Sequence, residues 1–171
     1  NLASSYLGQW VAQQSPATQT LEPAVAAGQR ALALNDSLHW NHIVLGYIYL
    51  YQQQYDQALA EMERAVALAP NEAWGHASLA EALSCVGRTE DALAAAARAL
   101  RLKYEIADHL GRVGTAYALG TAYALAGRYE EARSPSQGYL SHYPNILPVH
   151  LMLAAVYSEL GQAAEARAAA A

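Results

Sequence analysis

A chain of 171 residues with one cysteine and a formal net charge of −5 has room for one domain or a short solenoid. The single Cys85 excludes an intrachain disulfide and a cysteine metal cluster, and it fits a reducing compartment. An acidic balance without a basic stripe argues against a nucleic-acid partner, and no apolar run reaches the roughly 18 residues of a membrane span.

Alanine and leucine dominate and no run alternates like a strand, so the predicted elements are helices throughout. The first carries Tyr6, Trp10 and Val11 and is broken by Ser15-Pro16-Ala17-Thr18. A second should start near Leu21, with Pro23 tolerated in its first turn, and run through Ala24, Ala27, Ala31 and Leu34. Asn35-Asp36-Ser37 supplies capping residues for the next. Two helices then follow, about Ser37–Gln52 and Tyr55–Leu68, joined by the polar turn Gln52-Gln53-Gln54 and closed by Pro70. Gly46 and Ala58 are small enough for the pair to approach closely, with Leu45, Tyr49 and Met62 filling the space beside them.

The stretch His39–Pro70 is the unit on which the rest is a variation. Counting His39 as position 1, a new unit starts 34 residues on at Ala73, with Leu79, Ala80, Leu83, Gly87, Ala92, Ala96 and Ala99 in the corresponding places. Tyr104 replaces the closing proline, so that helix should run on. In the fourth unit Gly127 follows Gly87 by 40 residues instead of 34, and the surplus is a tandem copy: Gly114–Leu119 and Gly120–Leu125 both read GTAYAL. A longer first helix or a lengthened loop around Lys103–Arg112 should absorb it. First helices of the last two units are expected near Ile106–Ala126 and Leu147–Leu160. Pro135 falls midway along the fourth unit's second helix and should kink or break it. The last unit matches through Leu153, Ala154, Tyr157, Gly161 and Ala166. A chain that begins at Asn1 and ends inside an alanine-rich helix is expected to be a piece of something longer.

Catalytic constellations are absent from the sequence: there is no GxxxxGK phosphate loop, no GxSxG elbow and no HExxH. The acid pairs Glu61/Glu63, Glu90/Asp91 and Glu130/Glu131 lie near Arg64 and Arg133 and read as solvated helix faces with intrahelical ion pairs rather than as general acids and bases. His42, His76 and His150 all stand at position 4, a column that would suit a metal, helped by His39, though a half-buried packing histidine is the ordinary expectation. Cys85 has no cationic neighbour in sequence to activate it. Neither an enzyme nor a cofactor is expected.

The order of small and large residues from Leu45-Gly46 through Tyr49, Ala58, Met62 and Ala65 to Pro70 resembles the tetratricopeptide repeat, a helix-turn-helix unit that cannot bury its apolar face alone and stacks on its neighbours. The resemblance implies an all-α fold, a right-handed superhelix of about five hairpins in one domain spanning 1–171. Its repeats fall at 5–38 (degenerate), 39–72, 73–106, 113–146 and 147–171. Runs such as YDQALAEMERAVALAPNEAWG and AGRYEEAR are similar to arrays that follow bacterial class III nucleotide cyclases and winged-helix regulators. A cytoplasmic module of a bacterial signalling protein is the expectation that follows.

In this repeat family positions 2, 5, 6, 9, 12 and 13 of each first helix face a concave groove. The groove so read holds Tyr6 and Trp10, then Trp40, Val44, Tyr47 and Tyr51, then Trp74 and Ser78, then Tyr117, and finally Met152. Tyr6, Trp40 and Trp74 repeat at a spacing of 34. A face rich in rings and poor in charge implies a protein or peptide partner with apolar side chains. The lysine, asparagine and arginine clamp that holds acidic C-terminal tails in some such repeats is replaced here by Ile43, Tyr47, Ser78, Gly114 and Ala118. Two rival roles remain open at this stage, a small-molecule sensor and a self-associating scaffold.

Overall fold

The computed structural model describes residues 21–105, 118–141, 144 and 147–170. The expectations for the first helix, with Tyr6 and Trp10, and for residues 106–117, with Tyr117, lie outside them. Every regular element among the described residues is a helix: α1 (Leu21–Leu34), α2 (His39–Tyr51), α3 (Tyr55–Leu68), α4 (Ala73–Cys85), α5 (Thr89–Glu105), α6 (residues 118–125), α7 (Tyr129–Leu140), α8 (Leu147–Glu159) and α9 (Ala163–Ala169). The chain divides into two compact units, Asn1–Asn71 and Glu72–Ala171, within a residue of the expected boundary between the second and third repeats.

In the first unit α1 packs on α2 through Ala24, Val44, Leu45 and Ile48, with Val25, Ala27, Leu32 and Tyr49 around them. The α1–α2 connection is held by side chains. Asn41 Nδ2 donates to the carbonyls of Ala31 (3.2 Å) and Asn35 (3.1 Å), and Asn35 Oδ1 accepts from the Ser37 amide at 3.0 Å. Asn35 thus closes the turn, while the residue capping α2 is Leu38, without a side-chain bond. The α2–α3 pair meets at Gly46: a Cβ there would stand 2.9 Å from Met62 Cγ and 3.4 Å from the Ala58 carbonyl oxygen. Ala58 and Met62 are fully buried opposite it. Glycine at position 8 is therefore a steric requirement of the close approach.

In the second unit α4 and α5 pack alanine on alanine, with Ala77, Ala80, Ala92, Ala96 and Ala99 all buried. Glu72 caps α4, its carboxylate accepting from the Trp74 and Gly75 amides at 3.0 and 2.6 Å. Helix α5 runs on to Glu105, as Tyr104 in place of proline predicts. Between α6 and α7 the close approach falls at Gly120, where a Cβ would meet the Ala132 carbonyl oxygen at 3.5 Å and crowd Ser136 Oγ. Val149, Leu153 and Tyr157 of α8 are buried against Leu140 of α7 and Ala166 and Ala169 of α9, with Met152 beside them, and Gln137 Nε2 donates to Tyr157 Oη at 2.6 Å.

Of the kink or break expected at Pro135, the break does not occur. Helix α7 continues through it from Tyr129 to Leu140. The carbonyl that proline leaves without its amide belongs to Glu131, an exposed residue, and one turn further the buried Ser136 hydroxyl donates to Ala132 O at 2.7 Å. Loss of one helical bond on the solvent side is the mildest form of the proline penalty.

The four turns within hairpins among the described residues share one backbone solution. Position 15 takes positive φ in each: Gln53 (59°), Gly87 (76°), Gly127 (71°) and Gly161 (72°). The next amide reaches back five residues in each, Gln54 to Tyr49, Arg88 to Leu83, Arg128 to Tyr123 and Gln162 to Tyr157, at 2.8–2.9 Å. This is the left-handed helix terminus that glycine suits best. Among the described residues Gln53 alone adopts it with a side chain.

Candidate interaction surface

At about 100° per residue, positions 2, 9 and 13 of a first helix fall within about 40° of one another, with positions 5 and 12 on one flank and 6 on the other. The structure separates these positions by burial. Position 6 is buried in α2 (Val44), α4 (Ser78) and α6 (Ala118), and position 5 in α2 and α4 (Ile43 and Ala77, each 1 % exposed). Val44 belongs to the α1–α2 core. The Ser78 hydroxyl is spent on the Trp74 carbonyl at 2.9 Å. Two of the expected groove residues therefore face inward: their flank is where the neighbouring helix packs, and a small or branched side chain there fills a core.

The stripe at 2, 9 and 13 reaches the surface. In α2 it is Trp40 (39 % exposed), Tyr47 (half-buried) and Tyr51 (43 %), three rings down one face. In α4 it is Trp74 and Glu81, both half-buried, and the exposed Cys85. In α6 it is Thr121 and Leu125 (59 % exposed), and in α8 the exposed Ala155 and Glu159. Met152, at position 6 of α8, is half-buried: its thioether accepts from Thr121 Oγ1 at 3.3 Å, and its methyl would stand 3.0 Å from a Cβ on Gly120. It is a joint between hairpins as much as a surface residue. Among the described residues Leu125 and Leu151 are the most exposed large apolar side chains after Leu34. An aromatic criterion passes them over; their register positions, 13 and 5, find them.

The histidine column does not converge. His42 is buried, its Nδ1 2.7 Å from Glu61 Oε2 and its Nε2 donating to the Asp36 carbonyl at 2.8 Å, so it ties the α1–α2 turn to α2 and α3. His150 Nε2 donates to the Pro144 carbonyl at 2.6 Å. Among the described residues no three His, Cys, Asp or Glu side chains gather in a way that would hold a metal ion. Of the acid pairs, Glu61 is engaged with His42 of α2, while Asp91 pairs with Arg88, Glu131 with Arg128, and Glu130 with Arg133 at 2.9 Å, each three residues apart. The Arg128 hydrogen bond holds the Glu131 carboxyl below its ordinary range. Burial, and then the Glu81 carboxylate, push the Cys85 thiol above its ordinary range, the opposite of what a nucleophile needs. Among the described residues no helix is long and apolar enough to cross a membrane.

Models of the tetratricopeptide repeat match residues 41–72, 73–100, 113–134 and 147–171. No curated protein matches the sequence. Among solved structures the chain is similar to TTC0263, a thermophilic TPR protein of Thermus thermophilus (22% identity, 98% of this chain and 87% of that one, TM-score 0.77). It is also similar to PilW, a type IV pilus biogenesis factor (21%, 98% and 71%, TM-score 0.76). A third is MamA (20%, 89% and 85%, TM-score 0.62). At these identities the likeness is one of fold. The 34-residue register, the glycine contact at position 8, the left-handed turn at position 15 and the repeat-model matches agree: the chain belongs to the tetratricopeptide repeat family, an all-α superhelical fold whose members serve generally as non-catalytic protein–protein interaction or scaffold modules.

Proposed function

We propose that the chain binds an apolar peptide or protein segment along the first-helix stripe, in the groove that membership of this repeat family implies. The observation that carries this reading is the exposure of Trp40, Tyr51, Leu125 and Leu151 at groove positions, while position 6 is buried in α2, α4 and α6. Water-exposed rings and leucines at regular register are the side chains that gain most from being covered, and aromatic residues dominate binding energy at interfaces. Trp40, Tyr47 and Tyr51 form the anchor on α2, and Trp74 holds the place of Trp40 on α4. The setting suited to such a groove is a bacterial signalling protein, with the array attached to a cyclase or winged-helix output domain.

The test is selection from a displayed library of 12–20-residue peptides (about the length of a short helix). Selected peptides should be rich in Leu, Ile, Phe or Trp, and Trp40→Ala should weaken them by roughly 2 kcal/mol or more, as expected of a central aromatic anchor. Selection of peptides whose affinity ignores Trp40, Leu125 and Leu151 alike would move the site elsewhere.

A second reading, self-association through the last hairpin, rests on Leu151. Its position-5 counterparts Ile43 and Ala77 are 1 % exposed, while Leu151 is 56 % exposed. Sedimentation velocity should then show concentration-dependent association that Leu151→Lys removes; a monomer at every concentration excludes it.

A further inference from the structure

Formal charge is sorted by helix along this chain. Every arginine and lysine among the described residues stands on α1, α3, α5, α7 or α9 or in a turn. The first helices α2, α4, α6 and α8 carry none. Histidines aside, their charges are Glu81 at position 9 of α4 and Glu159 at position 13 of α8, both on the stripe that reaches the surface. A face with carboxylates and no cation of its own is complementary to a basic segment and repels an acidic one.

The place of Glu159 has no internal reason. It is the last residue of α8, its side chain is exposed, and its carboxylate meets no hydrogen-bond or ion-pair partner among the described residues. The C-terminus of a helix is the negative end of its macrodipole, so α8 itself disfavours an acid there. Glu90, Asp91, Glu130 and Glu131 stand the other way round, in the first turns of α5 and α7, where the dipole favours them. A cation at the end of α8 meets the carboxylate and the negative end of the helix together.

The rest of this face is apolar. The Thr121–Met152 contact sets α6 beside α8 inside the second compact unit. Leu125 stands one turn on from Thr121, and Leu151 directly precedes Met152; they are 59 % and 56 % exposed. Ala155 and Glu159 follow Leu151 at steps of four, so leucine, alanine and acid form one exposed line down α8. Eight residues of helix put Glu159 about 12 Å from Leu151.

We propose that the segment held by this face is basic as well as apolar: its apolar side chains cover Leu125 and Leu151, and a lysine or arginine lies against Glu159 at the end of α8. The cation stands about eight residues from the apolar anchor in a helical partner, or about four in an extended one. The inference rests on the reading that the stripe binds a segment, and adds the charge of that segment.

Selection from the same displayed peptide library, run in parallel on the unaltered protein, Glu159→Lys and Glu63→Lys, tests it. Glu63 is exposed on α3, so the two variants share one net charge and differ in where it changes. A lysine at the end of α8 suits the dipole, and the fold is retained. The unaltered protein and Glu63→Lys should both select apolar peptides with Lys and Arg in excess over Asp and Glu. Glu159→Lys should lose that excess. A basic peptide from the first pool should bind Glu159→Lys about two- to tenfold more weakly, and added salt should shrink the difference. No excess of Lys and Arg, or identical pools for the two variants, overturns the proposal. If those pools are still apolar and Leu151→Gln weakens their peptides, the stripe reading survives without the charge. Peptides that ignore both Leu125 and Leu151 remove the two together. Self-association of the free protein that Leu151→Lys abolishes gives this face to a second copy and likewise overturns the proposal.

Discussion

Glycine and alanine at positions 8 and 20 do the same work in two hairpins, and the contact distances say why. At Gly46 a single added carbon would press into Met62 and toward the Ala58 backbone. Ala58→Leu forces the same pair of helices apart from the other side, and overpacking of this kind costs about 1–3 kcal/mol. Gln57→Leu, one residue away and exposed, should cost little. Equal denaturant midpoints for the two variants would show that the register is wrong. Position 15 gives a prediction of opposite sign. Gln53 holds a left-handed conformation, at φ 59°, that the other described turns give to glycine. An L-residue there pays about 1–2 kcal/mol, and glycine returns part of that as extra unfolded-state entropy. Gln53→Gly should therefore gain about 0.5–1 kcal/mol in urea unfolding. The same change at Gln54, whose φ is −90°, should gain nothing.

Helices and their pairing were legible in the residues wherever the 34-residue register held. Tyr55–Leu68 has the bounds that Gly46, Ala58 and Pro70 imply, and α5 runs past the usual stop because Tyr104 has replaced the proline. Pro135 leaves α7 unbroken because the penalty of proline depends on which side of the helix loses its bond, and a linear sequence does not display sides. Val44 and Ser78 misled for a related reason. A groove position and a core position lie one helical step apart, so a pattern alone does not say which flank a neighbour covers. The duplication offers an element-scale test. Deleting Gly114–Leu119 restores the 34-residue spacing and leaves one GTAYAL copy. The shortened array should keep its helicity per residue and melt cooperatively, as followed by circular dichroism at 222 nm (the helical band of the peptide bond). Loss of either would show that the extra hexapeptide has become a structural part.

At the scale of the whole molecule, the first helices α2, α4, α6 and α8 each keep exposed side chains on the stripe at positions 2, 9 and 13. Family membership was legible because its signals, small residues at fixed intervals and a glycine turn, are steric and leave marks in composition. The partner was not, because side chains that meet a ligand carry no internal packing constraint that a single sequence would reveal. What the structure adds is the separation of one surface stripe from its buried flank, with Trp40 at the head of that stripe in α2. Collisional quenching by acrylamide of the Trp40 fluorescence, in a Trp10→Tyr, Trp74→Tyr protein, measures that placement directly. The account predicts efficient quenching in the free protein and marked shielding once a selected apolar peptide is bound. Emission already protected in the free protein, or quenching unchanged by a bound peptide, would contradict it.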